Sequence, residues 1–208
     1  MTSFPPTAPK LQKGSIIAID QVTKQRTEIQ FQYNPETLTR RLTAQAASGN
    51  YDRSEAFRLK GPPEETFSLE IVLDATDLLE VGDSDAQNLG IHPKLAVLEL
   101  LLYPQSQLVI TNEALANFGI IEIVPPEAPL TLFSWGPNRI VPVRLTSFSI
   151  TEEAFDPNLN PIQAKVSVDL MVLNYMDLGL PSEGGKTFMA HQKLKEMMAR
   201  KTPGNPGI

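Results

Sequence analysis

Apolar and polar residues alternate over several stretches of this chain, which is the pattern of β-strands with one buried face. Apolar side chains take every second position in 67–73 and again in 162–172. A shorter alternation predicts a strand at 27–33, and further short segments are read as strands at 15–19, 38–45, 108–111, 119–124 and 130–135. We therefore expect a mainly β fold of antiparallel strands, with one or two helices.

The stretch 133–175 predicts a long hairpin in which the first strand changes face. Apolar residues stand at odd positions in 141–145 and at even positions in 148–150. A strand cannot move its apolar side chains to the other face without a one-residue slip, so we predict a β-bulge near Thr146-Ser147.

The return strand of this hairpin ends with two apolar faces. Met171, Leu173 and Tyr175 make its second face apolar as well. That end should be covered on both sides, either by another element of the chain or by a neighbouring subunit. These three residues are therefore the candidate subunit interface.

Two segments have helical spacing. In 92–104, Pro93 suits the first helical turn, and the leucines at 95, 98 and 102 recur at helical intervals, so this helix should lie on the sheet. A second, C-terminal helix is predicted at 186–201. Its apolar residues are expected to share a face and to dock on a partner: Phe188, Leu194, Met197 and Met198.

Composition excludes several kinds of chemistry. The chain of 208 residues has no cysteine, so disulfides and thiolate chemistry are excluded. A net charge of −6 argues against nucleic-acid binding, which needs a basic face. The first residues lack the apolar run of a signal peptide, and no stretch of about 18 apolar residues follows. We expect synthesis in the cytoplasm and no direct insertion into a membrane.

The nearest approach to a cofactor motif is GLPSEGGKT at 179–187. A phosphate-binding loop needs its first glycine where Leu180 stands, and Gly179 is one residue too far away. Only 21 residues follow Thr187, too few for a further strand that would supply a magnesium ligand. A linker that leads into a helix is therefore favoured, and no cofactor is predicted.

No catalytic or metal-binding residues are predicted. His92 and His191 are the two histidines, and their spacing suggests no metal site. We expect surface or capping roles for both, with His191 on an exposed helix face. The adjacent carboxylates Glu64-Glu65 and Glu152-Glu153 are more typical of solvated side chains than of a catalytic pair.

The aromatic residues near the hairpin turn leave an alternative open. Trp135, with Phe133 and Tyr175, would suit a sugar-binding platform, although a packed tryptophan is favoured at such a turn. A β-sandwich carbohydrate-binding module that uses Trp135 is thus the alternative function. A small hydrolase whose site assembles in space is a third.

Four short runs resemble, in order, the tube-type adaptor proteins of contractile injection systems, the phage-tail-like particles that include antifeeding prophages. They are FQYNPETLTRRL (31–42), FSLEIVLDATD (67–77), FSWG (133–136) and PIQAKV (161–166). The resemblance implies a tail-tube fold over 15–176, a sandwich or barrel of two packed antiparallel sheets with one helix. Residues 1–14 would then be an extended arm, and 177–208 a linker with a helical extension.

The resemblance also implies a structural, non-enzymatic role. Six copies would close into a ring that joins the inner tube to the spike and baseplate and initiates the tube. The implied partners are inner tube proteins, the spike protein and baseplate wedge proteins, within a particle that is cytoplasmic, membrane-anchored or released. Many members continue into a LysM-type module, whereas here we expect a short linker and one helix after the tube-like domain. Gln163 stands where the family often has arginine, so the salt bridge expected there should be missing.

Overall fold

A computed structural model of the chain describes residues 11–20, 23–45, 59–104, 106–117 and 128–203. Most of the predicted arm, the loop residues 46–58, the predicted strand 119–124 and the last five residues lie outside these ranges. The described strands are β1 (Ser15–Ile19), β2 (Arg26–Gln30), β3 (Leu38–Thr43), β4 (Glu64–Asp74), β5 (Leu130–Ser134), β6 (Ile140–Phe155) and β7 (Pro161–Val172). The described helices are α1 (Thr76–Glu80), α2 (Ser84–Leu89), α3 (His92–Glu99), α4 (Ser106–Asn117), α5 (Tyr175–Leu178) and α6 (Glu183–Ala199).

The strands form one antiparallel sheet in the order β2-β1-β5-β6-β7-β4-β3. The predicted mainly β class, with helices packed on a sheet, is confirmed. The long hairpin β6–β7, which the alternating pattern predicted, lies at the centre of the sheet. Its turn, Asp156–Asn160, is closed by the carboxylate of Asp156, which accepts from the backbone amides of Asn158 at 2.7 Å and Asn160 at 2.8 Å.

The sheet curls until its two halves face each other. Phe67 on β4 and Phe133 on β5 are three strands apart, which in a flat sheet is roughly 14 Å. Their ring centroids are nevertheless 5.3 Å apart. The two layers that the resemblance implies are therefore two halves of one hydrogen-bonded sheet, packed through a shared aromatic core.

The core follows the alternation in the sequence. On β4 the side chains of Phe67, Leu69, Ile71 and Leu73 are all buried. The pairing of β6 with β7 shifts register between Leu145 and Ser147, which confirms the predicted bulge. Because of this slip, apolar side chains on both halves of β6 face the same core.

The helical predictions were partly wrong. α3 ends at Glu99 rather than 104, and its buried leucines are Leu95 and Leu98. In the segment after α3, Leu101 is buried and Leu102 is exposed. The strand predicted at 108–111 is wrong, because these residues lie inside α4. Their β-branched side chains favour a strand only weakly, and the following segment Glu113–Asn117 contains strong helix formers.

α6 begins at Glu183, three residues before the predicted start. Ser182 caps it, since its Oγ accepts a 2.9 Å hydrogen bond from the Gly185 amide. A Cβ on Gly184 would lie 2.4 Å from Leu178, and one on Gly185 would lie 2.0 Å from the Gly179 carbonyl oxygen. The glycines in the phosphate-loop-like segment therefore let α6 approach α5 closely.

None of the described helices is both long enough and apolar enough to span a bilayer.

Candidate functional site

Two of the family-like runs meet where β1 begins. The side chain of Asn34 accepts from the Gly14 amide at 2.9 Å and donates to the Gln12 carbonyl at 2.8 Å. A Cβ on Gly14 would lie 2.7 Å from the Trp135 ring, so the backbone lies directly against the indole. The Trp135 ring also lies beside Phe133, stacked at 6.0 Å between centroids, and beside Phe31, tilted at 6.4 Å. Trp135 is thus packed within the fold, whereas a sugar platform needs an open ring face.

A polar network joins Gln32, in the segment after β2, to the end of β4 and to α3. The side-chain oxygen of Gln32 accepts from the Asp74 amide at 3.1 Å and from Lys94 Nζ at 2.9 Å. Gln163 Nε2 donates to Asp74 Oδ2 at 2.6 Å. The neutral Gln163 thus takes over a contact that an arginine at this position would make as a salt bridge.

The same network shifts two pKa values. Burial alone would raise the pKa of Asp74, but hydrogen bonds from Thr76 and Gln163 and the charge of Lys94 bring it below its usual value. Burial lowers the pKa of Lys94, and the charges of Asp74 and Asp77 offset this only in part. Because these groups bond to each other, the network stabilises the closure of the sheet.

Glu65 is a buried carboxylate under α6, so its predicted solvated state is wrong. It is 3% exposed and accepts hydrogen bonds from Arg40 on β3 and from Lys195 on α6, the latter at 3.3 Å. Burial alone would raise its pKa, but the Arg40 hydrogen bond and the two cationic charges hold the pKa below normal. Its neighbour Glu64 is exposed. Glu65 lies two positions before Phe67, so extending the β4 alternation backwards would have placed it on the buried face.

His191 is also buried, at 7% exposure, so the prediction of an exposed position is wrong. Burial lowers its pKa to about 4, and the neighbouring cations Lys195, Arg40 and Arg139 outweigh the opposing charge of Glu65. The helical spacing could have predicted this burial, since His191 follows the buried Phe188 by three positions and so lies on the same face of the helix.

The residues proposed for the C-terminal helix do not share one face. Phe188 is buried and its ring contacts Tyr175 edge-on at 6.0 Å. Met197 follows nine positions later, about two and a half turns, and therefore lies on the opposite side of the helix. Met197 and Met198 are exposed and Leu194 is half-buried. Partner docking by these residues stays a prediction.

The proposed interface residues are partly covered within the chain. Met171, Leu173 and Tyr175 are all half-buried. Tyr175 contacts Phe188, and Leu173 lines an apolar groove of about 460 Å³ between β5, β6 and the start of α6. Contact with a neighbouring subunit stays a prediction for all three.

The two outer strands of the sheet carry different charged residues: β2 has Arg26 and Glu28, and β3 has Arg40 and Arg41. Among the described strands, β2 pairs only with β1, and β3 pairs only with β4. Exposed side chains on these strands include Glu28 on β2 and Arg41 on β3. Each outer strand therefore has one backbone edge without a strand partner in the described chain.

Within the described ranges, no three histidine, aspartate or glutamate side chains come together as a metal site. The described part of the chain is thus a curled antiparallel sheet with helices on its surface, whose buried ionic residues take part in packing. The family model for the contractile injection system tube protein matches residues 10–175, and the chain belongs to this family. A search of curated proteins found no match.

Proposed function

We propose that this protein forms a closed ring that joins the inner tube of a contractile injection particle to the spike and baseplate. The ring would also initiate assembly of the tube. Membership of the tube protein family supports a structural role in such a particle. The observation that carries the ring is the pair of outer strands, β2 and β3, each with a backbone edge that lacks a strand partner.

Pairing between copies would complete both edges. β2 has five residues and β3 has six, so the two edges are similar in length. If β3 of one copy pairs with β2 of the next, the sheet continues from subunit to subunit and no edge is left exposed. Glu28 on β2 offers an acidic partner for Arg41 on β3 of the next copy, whereas the other charged residue of β2, Arg26, pairs with Glu183 within the chain. Such head-to-tail contacts close into a ring when the rotation between copies allows it, and the family resemblance implies six copies.

The proposed partners are inner tube proteins on one face of the ring and the spike and baseplate wedge proteins on the other. The exposed side of α6, with Met197 and Met198, is the proposed docking element for the baseplate. In this function no residue performs catalysis, because the protein acts through the geometry of its ring.

The ring is tested by placing a charge on an outer strand. Leu42 on β3 is 47% exposed, and Leu42→Lys should oppose strand pairing between copies. The matched control is Leu159→Lys at the hairpin turn, where leucine is 79% exposed. Native mass spectrometry and electron microscopy should show rings for the natural protein and the control, and monomers for Leu42→Lys.

Circular dichroism checks that all three proteins are folded. A folded natural protein that stays monomeric, both alone and with tube and spike proteins from the same particle, would contradict the ring. Rings that stack into long tubes without binding the spike would indicate an ordinary tube subunit instead of an adaptor.

A further inference from the structure

We propose that α6 is an acid-sensitive latch, which separates from the sheet when the buried imidazole of His191 takes up a proton. This inference concerns the docking of α6 within one chain and does not depend on the ring. It rests on the position of His191 at the contact between α6 and the sheet.

The imidazole of His191 is buried, and one of its two ring nitrogens has no hydrogen-bond partner in the described part of the chain. His191 is 7% exposed, on the same side of α6 as the buried Phe188. Its Nδ1 is the one buried side-chain nitrogen or oxygen in the described part of the chain that lacks a hydrogen-bond partner. When the imidazole is neutral, Nδ1 is a hydrogen-bond acceptor, and leaving this one acceptor unpaired destabilises the fold only modestly. In the charged imidazolium both nitrogens are donors, so the buried N–H would lack an acceptor.

The charges around His191 also oppose protonation. Lys195 follows four positions later on the same helix, Arg40 projects from β3, and Arg139 lies in the turn between β5 and β6. The single opposing carboxylate is Glu65 on β4, and it already accepts from Arg40 and Lys195. A proton on His191 therefore adds a positive charge to a site with three cations and one anion.

Other contacts of α6 do not titrate in this range, because Phe188 and Met189 pack against the hydrophobic core and Gly184 and Gly185 lie against α5. Phe188 packs against Tyr175, Lys195 bonds to Glu65, and Glu183 forms a 2.9 Å ion pair with Arg26. That last pair is exposed and contributes little. Release of α6 would let His191 hydrate and regain its ordinary pKa.

The pH range follows from linkage. Burial in the docked state lowers the pKa of His191 from 6.5 to about 4. Docking therefore has its full stability above pH 6.5 and loses stability as the pH falls from 6.5 towards 4. Between pH 7.5 and pH 5, the equilibrium constant for release should rise about 25-fold. Glu65 stays ionised over this range because its own pKa is lowered.

The test is hydrogen exchange with mass spectrometry on the full chain at pH 7.5 and 5.0, corrected for the intrinsic effect of pH on exchange. Peptides from α6 should lose about 25-fold of their protection at pH 5.0, whereas peptides from β7 should keep theirs. His191→Gln cannot titrate, so its α6 peptides should be equally protected at both values. His92→Gln, which removes the exposed second histidine, is the matched control and should behave like the natural protein.

Constant protection of α6 in the natural protein, or equal loss in His191→Gln, would overturn the latch. If His191→Gln fails to fold, NMR titration of His92→Gln decides the question, since its single imidazole signal belongs to His191. Coincidence of that titration with the loss of α6 protection supports the latch. Titration near 6.5 while α6 stays protected refutes it.

Discussion

Replacing Glu65 by glutamine removes a buried negative charge while keeping the size of the side chain and one acceptor oxygen. The carboxylate accepts from Arg40 and Lys195, and hydrogen bonds to charged groups contribute about 1.5–3 kcal/mol each. Glutamine keeps one acceptor but turns an amide N–H₂ group towards the other cation. The Arg40 and Lys195 side chains are 31% and 36% exposed, so water recovers part of the loss. We expect the free energy of unfolding at pH 7 to fall by about 2 kcal/mol.

The assay is urea unfolding followed by the fluorescence of Trp135, the single tryptophan. All proteins are compared at one concentration, because assembly raises apparent stability. Glu64→Gln is the matched control, since this neighbouring carboxylate is exposed, and it should change stability by less than about 0.5 kcal/mol.

The effect of Glu65→Gln should also depend on pH in a definite direction. The folded-state pKa of Glu65 lies below its ordinary 4.5, so its charge stabilises the fold above pH 4.5. That contribution is lost as the pH falls below 4.5, and the difference between the natural protein and Glu65→Gln should narrow there. Equal effects of the two substitutions, or a difference that is constant on acidification, would refute the role assigned to Glu65.

Substitutions at three further positions test the packing of α6 and the closure of the sheet. Gly185→Ala should destabilise by about 2 kcal/mol in thermal unfolding, despite the better helix propensity of alanine, because the new Cβ would lie 2.0 Å from the Gly179 carbonyl oxygen; an unchanged melting temperature would contradict this. Gln163→Ala removes the hydrogen bond to Asp74 and should cost about 1 kcal/mol in urea unfolding, whereas Gln163→Arg should keep the contact and restore stability. Gln32→Ala removes the acceptor of the Asp74 amide and should cost about 1–2 kcal/mol in the same assay; a neutral result would show that the network does not hold the sheet closed.

The strands were predictable because the two-residue period of their apolar side chains follows from the geometry of the backbone. Successive side chains of a strand point to opposite faces, so alternation such as that of 162–172 marks a half-buried strand before any partner is known. The same rule located the slip near Thr146. The helix at 106–117 was missed because four β-branched and apolar residues were considered without the helix-forming segment that follows them.

The buried ionic residues were missed for a different reason. Glu65 and His191 are polar types that most often face solvent, and composition alone favours that assignment. Each lies at a position whose period marks a buried face, beside Phe67 and Phe188 respectively. The period of the apolar residues therefore predicted burial better than residue type did. It does not identify the residue that pairs with a buried charge and makes its burial possible.

The amino-acid sequence by itself determined the mainly β class, the central hairpin with its bulge and the family-like runs, since these depend on local period and turn chemistry. The tertiary structure alone decided that β2 and β3 are the outer strands, that the sheet curls on itself, and that Arg40, Glu65, His191 and Lys195 meet under α6. These features depend on contacts between residues as far apart in the sequence as Glu65 and Lys195, which are separated by 130 positions. Local patterns contain no information about which distant faces meet, because that choice depends on the packing and electrostatics of the whole fold.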